Sequence, residues 1–490
     1  MTASRTDVDT RHEPPDTRFF GQPAVLANLF GVEVWERFSF YGMQGILLIY
    51  LYYSAARGGL GISEATATSI VGAYGGAVYF ATILGAWIAD RLIGAERTLF
   101  YAAVVVMLGH VSLSLLPGLT GVGVGLGLVA LGSGGVKANA TSLVGSLYDE
   151  HDERRDAGFS LFYLGINLGA FVGPLLTGLL QRNEGFHWGF GLAAVGMAVG
   201  LAQYAAFRNR LPDTTREVPD PVDRDKLVGY VVAALALVAV VVVLILVHVI
   251  TTPRLADIVI WVSAAAAVAY FAVILSSRHL DTTERSRVLA FIPMFVCSAV
   301  FWSLYQQQFT VITVYSDKRL DRSLFGWEMP VSWVQSINPV FIIILSGVFA
   351  AIWMRLGDRQ PVTPVKFGLA TIVMGLAFWL FLLMPSGKNS VPILGLALIL
   401  LVFTIAELLI SPVGLSLATK LAPRAFVTQM VALFFLSIAL GTAMSGKLAE
   451  HYDPTHETPF FLWIGLVAIA VGVAVLALTK PISRMMQGVR

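Results

Sequence analysis

The chain has 490 residues, 56% of them hydrophobic and 13% charged, with 46 glycines and a mean hydropathy of +0.74. That balance suits closely packed membrane helices rather than a soluble core, so the composition points to a polytopic membrane protein. A net charge of +2 with its basic residues in loops leaves no footprint for nucleic acid, and the single cysteine, Cys297, excludes an internal disulfide.

Residues 1–26 read as a polar, cytoplasmic N-terminal segment. It lacks an apolar signal-peptide core followed by a cleavage site, so the first span is expected to stay uncleaved. Runs of ~17–25 apolar residues then give about fourteen spans. They cover 27–53, 64–89, 98–116, 122–148, 157–180, 188–207, 227–250, 255–275, 288–315, 333–353, 366–384, 393–417, 425–449 and 460–478. An even count puts both termini on one side. Roughly 23 Lys and Arg fall on that side and roughly 8 on the other, so the positive-inside rule makes the termini cytoplasmic.

The seventh and eighth spans differ from the rest. They are nearly pure Val, Ala and Leu, without glycine ladders or internal charges, and the charged connectors 208–226 and 276–287 flank them. They read as a lipid-facing inserted hairpin, 208–287. Removing it leaves six-helix bundles at 27–207 and 288–479 and a cytoplasmic tail at 480–490. This is an all-α architecture of two pseudo-symmetric halves plus two additional helices, the organisation of a major facilitator with a midplane site.

In the first span Glu33, Glu36 and Arg37 stand at i, i+3 and i+4, with Tyr41 and Gln44 continuing the same face. A charge at the bilayer centre costs ~2.5–3.5 kcal/mol or more, so these groups face a polar cavity or one another. Two carboxylates cannot both be satisfied by one guanidinium. One acid is therefore expected to carry a proton reversibly, unless the three form a static ion-pair cluster.

The second span ends in Gly85-Ala-Trp-Ile-Ala-Asp90-Arg91-Leu-Ile-Gly94-Ala-Glu-Arg97, a gating-loop pattern that marks the superfamily and not a substrate. In the fourth span Lys137 follows a glycine-rich run, and in the twelfth lies Glu407. These are the fourth helices of the two halves, so the two charges are expected across a central cavity, where they suit a zwitterion or else pair with each other. Gly165, Gly169 and Gly173 in the fifth span invite close helix approach, with Asn167 roughly opposite. Asn338-Pro339 in the tenth span is expected to free a carbonyl beside a second amide. Histidines form no metal-ligand cluster, and His110 and His248 read as helix-packing residues. No catalytic or cofactor motif appears, so neither an enzyme nor a cofactor is expected.

Glu33-x-x-Glu36-Arg37-Phe38 with Tyr41-Gly42, Phe162-Tyr163-Leu-Gly-Ile166-Asn167-Leu-Gly169, and Glu407-Leu-x-x-Ser411-Pro412 with Lys420-Leu-Ala-Pro423 together resemble the proton-coupled oligopeptide transporter family, bacterial type. The resemblance implies a proton-driven importer of di- and tripeptides in the bacterial cytoplasmic membrane, with peptides, protons and the lipid bilayer as partners. It implies proton coupling by Glu33, Glu36, Arg37, Lys137 and Glu407. Arg37, Tyr41 and Lys137 would receive the peptide carboxylate, and Asn167, Asn338 and Glu407 its amino terminus. Tyr79 and Ser411 would line the cavity, and Tyr163, Trp302 and Phe434 would offer adaptable aromatic surfaces. Many relatives place an arginine and an acid where this chain has Gln44 and Gln306, so the outer gate pair is neutral here. Phe434 replaces a frequent tryptophan. Other readings are a proton symporter for another small anion or peptide-like compound, and a non-transporting peptide sensor.

Overall fold

The structure, a computed structural model, describes residues 16–149, 152–278 and 280–489. The first fifteen residues of the expected N-terminal segment lie outside the described residues. Helices α1 (Ala24–Tyr52), α2 (Glu64–Ile88), α3 (Ala95–Leu115), α4 (Gly118–Gly145), α5 (Arg155–Glu184) and α6 (Phe186–Phe207) pack among themselves, α1 against α5 and α6, and α4 against α2 and α3. After α7 (Arg224–Leu246) and α8 (Leu255–Ser276) come α9 (Thr282–Tyr305), α10 (Val311–Lys318), α11 (Ile337–Leu356), α12 (Thr363–Leu380), α13 (Ile393–Leu421), α14 (Val427–Ala449), α15 (Glu457–Ala477) and α16 (Thr479–Met485). Their counterpart packing joins α12 to α13 and α15, and α14 to α9. Thirteen helical stretches among the described residues are long and apolar enough to cross a membrane. The 29-residue α1 is not one of them, because Glu33, Glu36, Arg37 and Gln44 dilute its apolarity.

Local signals set the helix starts. Ser63 caps α2 by accepting from the Thr66 amide, and Asp281 and Glu284 form a reciprocal capping box on α9. Gly94, at φ +82°, turns the chain from a π-helical turn at 89–93 into α3. A side chain could not fit there, since a Cβ would lie 2.6 Å from the Arg216 carbonyl oxygen.

Two expectations need correction. The span expected at 288–315 is not continuous: α9 stops at Tyr305, and Thr310 (φ −121°, ψ −96°) separates a 3₁₀ turn from α10. The polar run Gln306-Gln307-Gln308-Phe309-Thr310 interrupts the apolar pattern at this point, and side chains take over main-chain partners. Gln307 Nε2 donates to the Ser303 and Ser445 carbonyls, and Thr313 Oγ1 donates to the Gln308 carbonyl (2.8 Å). Pro339 lies in the first turn of α11, which continues directly from the 3₁₀ helix 331–336. His248 sits exposed in the turn after α7 at φ +58° rather than in a helix contact. His110 is fully buried in α3.

The two groups of helices meet along α2 with α14 and α5 with α11. Glycines permit the first contact, since a Cβ on Gly72 would stand 2.5 Å from Gly446 Cα. Polar links between the groups gather at the end opposite the termini. Tyr52 and Tyr53 donate to the two oxygens of Asp317 at 2.8 and 2.6 Å, and Lys318 pairs with Glu64. Ser336 Oγ and Trp333 Nε1 donate to carbonyls of Phe171 (2.8 Å) and Leu175 (3.0 Å) in α5.

At the termini end, a strap runs over the α2–α3 connection. Buried Glu96 accepts from Arg208 Nε and Nη2 at 2.5 and 2.8 Å, with Arg216 Nε at 3.6 Å. The Asp220 and Val222 amides donate to the Asp90 and Arg91 carbonyls.

A charged hydrogen bond is worth about 1.5–3 kcal/mol when its partner is lost, so Asp317 should hold its end of the molecule shut. Asp317→Ala is expected to lengthen and broaden the distance between spin labels at Ser54→Cys and Lys388→Cys. An unchanged distribution would show that the tyrosine–aspartate contacts do not hold the two groups together.

Candidate functional site

On α1 the i, i+3, i+4 spacing brings three charges together as its periodicity requires. Arg37 Nη2 lies 2.6 Å and Nε 2.7 Å from Glu33 Oε1, while Glu36 Oε2 stands 3.4 Å from Arg37 Nε. Glu33, Glu36 and Arg37 are all buried, at 1%, 0% and 6% exposure. Ser133 on α4 donates to Glu36 Oε1 at 2.8 Å, tying the second acid to the helix that carries Lys137. The cluster is not saturated: Glu33 Oε2, Glu36 Oε2 and Arg37 Nη1 are buried without a hydrogen-bond partner. Such a half-satisfied network is costly in a low-dielectric interior, so it has a strong drive to recruit a proton or an anion.

Beside this cluster a cavity of about 200 Å³ opens between the two groups of helices. On one wall stand Arg37, Tyr41, Tyr79 and Lys137, and on the other Asn338 and Glu407. Lys137 Nζ lies 4.8 Å from the Phe40 ring centroid and 5.5 Å from that of Tyr79, so aromatic faces, not a carboxylate, cradle the ammonium. Across the cavity Glu407 Oε2 accepts from Tyr305 OH at 2.8 Å and lies 3.4 Å from Asn338 Nδ2, which also donates to Thr404 (2.9 Å). Lys137 and Glu407 thus share the cavity with no salt bridge between them among the described residues.

The α5 glycines account for the depth of the site on the α1 side. A Cβ on Gly169 would stand 2.8 Å from Arg37 Cβ, and one on Gly165 2.9 Å from the Phe30 ring, so glycine lets α5 lie flush on α1 at the charged face. Asn167, on another face of the same helix, lines the cavity and donates to the Tyr163 carbonyl at 2.9 Å.

Of the residues singled out in the sequence, Arg37, Tyr41, Tyr79, Lys137, Asn167, Gln306, Asn338 and Glu407 line one cavity, with Glu33 and Glu36 behind Arg37. Tyr163 and Trp302 are there too. Ser411, one turn from Glu407, lies outside this lining with an unpartnered hydroxyl. Phe434 also lies outside, packed over Gly414. Gln44 Oε1 is buried without a partner, and no hydrogen bond joins Gln44 to Gln306 among the described residues.

Sequence reasoning missed Ser133, Tyr305, Gln308, Phe309 and Gln335. Two of these carried a signal. Ser133 precedes Lys137 by one helical turn, and Tyr305 follows Trp302 by three residues, so each shares a face with a residue already noticed. The others belong to the irregular 306–309 and 331–336 turns, where no periodicity applies.

Comparison with known proteins agrees with this architecture. The family model described as "POT family" matches residues 96–464. The chain is 41% identical over 479 residues to a Bacillus subtilis (strain 168) protein called uncharacterized transporter YclF, covering 97% of each. It is 39% identical over 490 residues to the di-/tripeptide transporter of Lactococcus lactis subsp. cremoris, covering 96% of this chain and 98% of that one. A crystal structure of a peptide transporter POT in complex with sulfate superposes with a TM-score of 0.92 at 41% identity, over 97% of this chain and 98% of that one. The resemblance in the first-helix, fifth-helix and twelfth-span motifs therefore extends to the whole chain, which belongs to the POT family of membrane transporters.

Proposed function

We propose that this chain imports di- and tripeptides across the bacterial cytoplasmic membrane, driven by protons and working by alternating access. The observation that carries this reading is the charge layout of the cavity, with Arg37 and Lys137 on one wall and Glu407 with Asn338 on the other. A short extended peptide bears a carboxylate at one end and an ammonium at the other, about 3.3–3.6 Å apart per residue. Arg37, Tyr41 and Lys137 receive the carboxylate, and Glu407, Asn338 and Asn167 the ammonium. Tyr79 forms wall surface, and Ser411 extends the Glu407 face. Relatives named as di-/tripeptide transporters support the substrate class.

Proton coupling follows from the unsaturated cluster. While both acids are ionised, Glu33 holds Arg37 and Ser133 holds Glu36. Protonating one acid releases part of the guanidinium's binding capacity to the incoming carboxylate, so substrate and proton favour the same state. The moving bodies are residues 27–207 and 288–479, with 208–287 an accessory hairpin. The excess of Lys and Arg on the side of the termini supports a cytoplasmic location for both ends. The end closed by Asp317 is then the outer one.

Reconstitution in liposomes tests the reading: labelled dipeptide should accumulate only when an inward proton gradient is imposed. No gradient-dependent accumulation across a broad peptide panel would overturn it.

Three sets of substitutions probe the parts. Glu36→Gln keeps a partner for Ser133 but fixes a neutral side chain, so it should abolish gradient-driven accumulation while peptide exchange without a gradient survives; undiminished driven uptake would remove Glu36 from coupling. Lys137→Ala should weaken peptides with a free carboxylate, and Glu407→Ala those with a free amine, by about 1.5–3 kcal/mol relative to amidated and acetylated analogues. Equal losses for free and blocked peptides, read by competition, would assign both charges to structure. At the proposed outer gate, Gln44→Arg alone should impair uptake, and adding Gln306→Glu should restore part of it, with a coupling of ~0.5–3 kcal/mol. Strict additivity would mean the two side chains do not meet.

A further inference from the structure

The accessory hairpin is packed unequally. α8 lies against α2 and α14, with Asp257 paired to Lys447 at 3.0 Å, whereas none of the described residues of α7 is buried. α7 touches the bundle near its first turns, where Tyr230 meets Trp87 edge-on at 5.4 Å, and returns to it through the turn into α8. Along its second half it leaves a groove of about 450 Å³ against α2 and α4.

The lining of that groove is amphiphilic in a definite order. Leu119 to Ala130 of α4 form its long wall, Ile70 to Ala77 of α2 its back, and Ile245 of α7 with Val259 of α8 its far side. At the end away from the termini it finishes in Thr251 and Thr252, beside exposed Arg254. From Leu119 to Ala130 the groove runs ~16 Å at 1.5 Å per residue. That is about half of a ~30 Å hydrocarbon core, the depth of a single leaflet. Gly123 and Gly127 are exposed, and a Cβ at either would meet nothing within 4 Å, so the groove opens sideways toward the surrounding bilayer. Water gains no hydrogen bonds along such apolar walls, and an empty gap of this size beside mobile hydrocarbon forfeits its dispersion contacts.

We propose that this groove binds one acyl chain of a phospholipid from the leaflet opposite the termini, with the headgroup phosphate at Arg254 and the Thr251–Thr252 turn. The bound chain supplies the packing between α7 and the bundle that α7's own side chains do not. It also packs on Tyr74, whose ring stacks on Phe40 at 6.1 Å, the same ring that lies under Lys137.

The test uses the full chain in phosphatidylethanolamine–phosphatidylglycerol vesicles containing a phospholipid with a photoreactive diazirine at mid-chain, followed by peptide mapping. Labelling of 119–130 and 250–259 should exceed that of the exposed face of α15 several-fold. The double variant Gly123→Leu/Gly127→Leu, which fills open space without displacing a neighbour, should bring 250–259 down to the α15 level while α15 labelling stays constant. Equal labelling of groove and α15 in the unmodified chain, or unchanged groove labelling in the filled variant, would overturn the proposal.

Discussion

Two buried carboxylates sharing one guanidinium on α1 constrain everything around them. Lipid cannot solvate these groups, so the fold must supply partners or leave a demand that a ligand can meet, and it does some of each. Ser133 satisfies one oxygen of Glu36, Glu33 engages Arg37, and three polar atoms remain unmatched. The glycines of α5 bring a bare backbone against the charged face, and α4 brings Lys137 close enough to share the same field. The opposite wall has different logic: Glu407 is anchored by a phenol and an amide, neutral groups that fix its position without cancelling its charge. A carboxyl group on one wall and two basic side chains on the other make the cavity polar along one direction.

Much of this was legible because membrane helices obey simple rules. Length and apolarity located the spans, and the 3.6-residue period placed Glu33, Glu36, Arg37 and Tyr41 on one face. The correspondence of fourth helices put Lys137 and Glu407 into the same cavity. Legibility failed where side chains overrule the backbone pattern. Apolar residues resume at Val311 after the polar run Gln306–Thr310, which let one span be drawn across it, yet amide side chains there capture carbonyls and divide α9 from α10. Ser133 stands among glycines in the sequence, and only the approach of α1 gives its hydroxyl a task.

The seam between the halves divides its labour by position. Near the end away from the termini, glycine-to-glycine contact of α2 with α14 provides a surface along which backbones can slide, while Asp317 and its tyrosines provide discrete contacts that make or break. Smooth contact alone would leave no energetic distinction between arrangements. Discrete polar contacts alone would offer no path between them.

The strap over the α2–α3 connection bears on the order in which the protein is assembled. Glu96 is completely buried, yet its strongest partner, Arg208, lies 112 residues later in the chain, and Arg216 later still. The last partners of Glu96 are thus supplied only by chain that follows α6, so this buried contact cannot form until the first six helices have all been made.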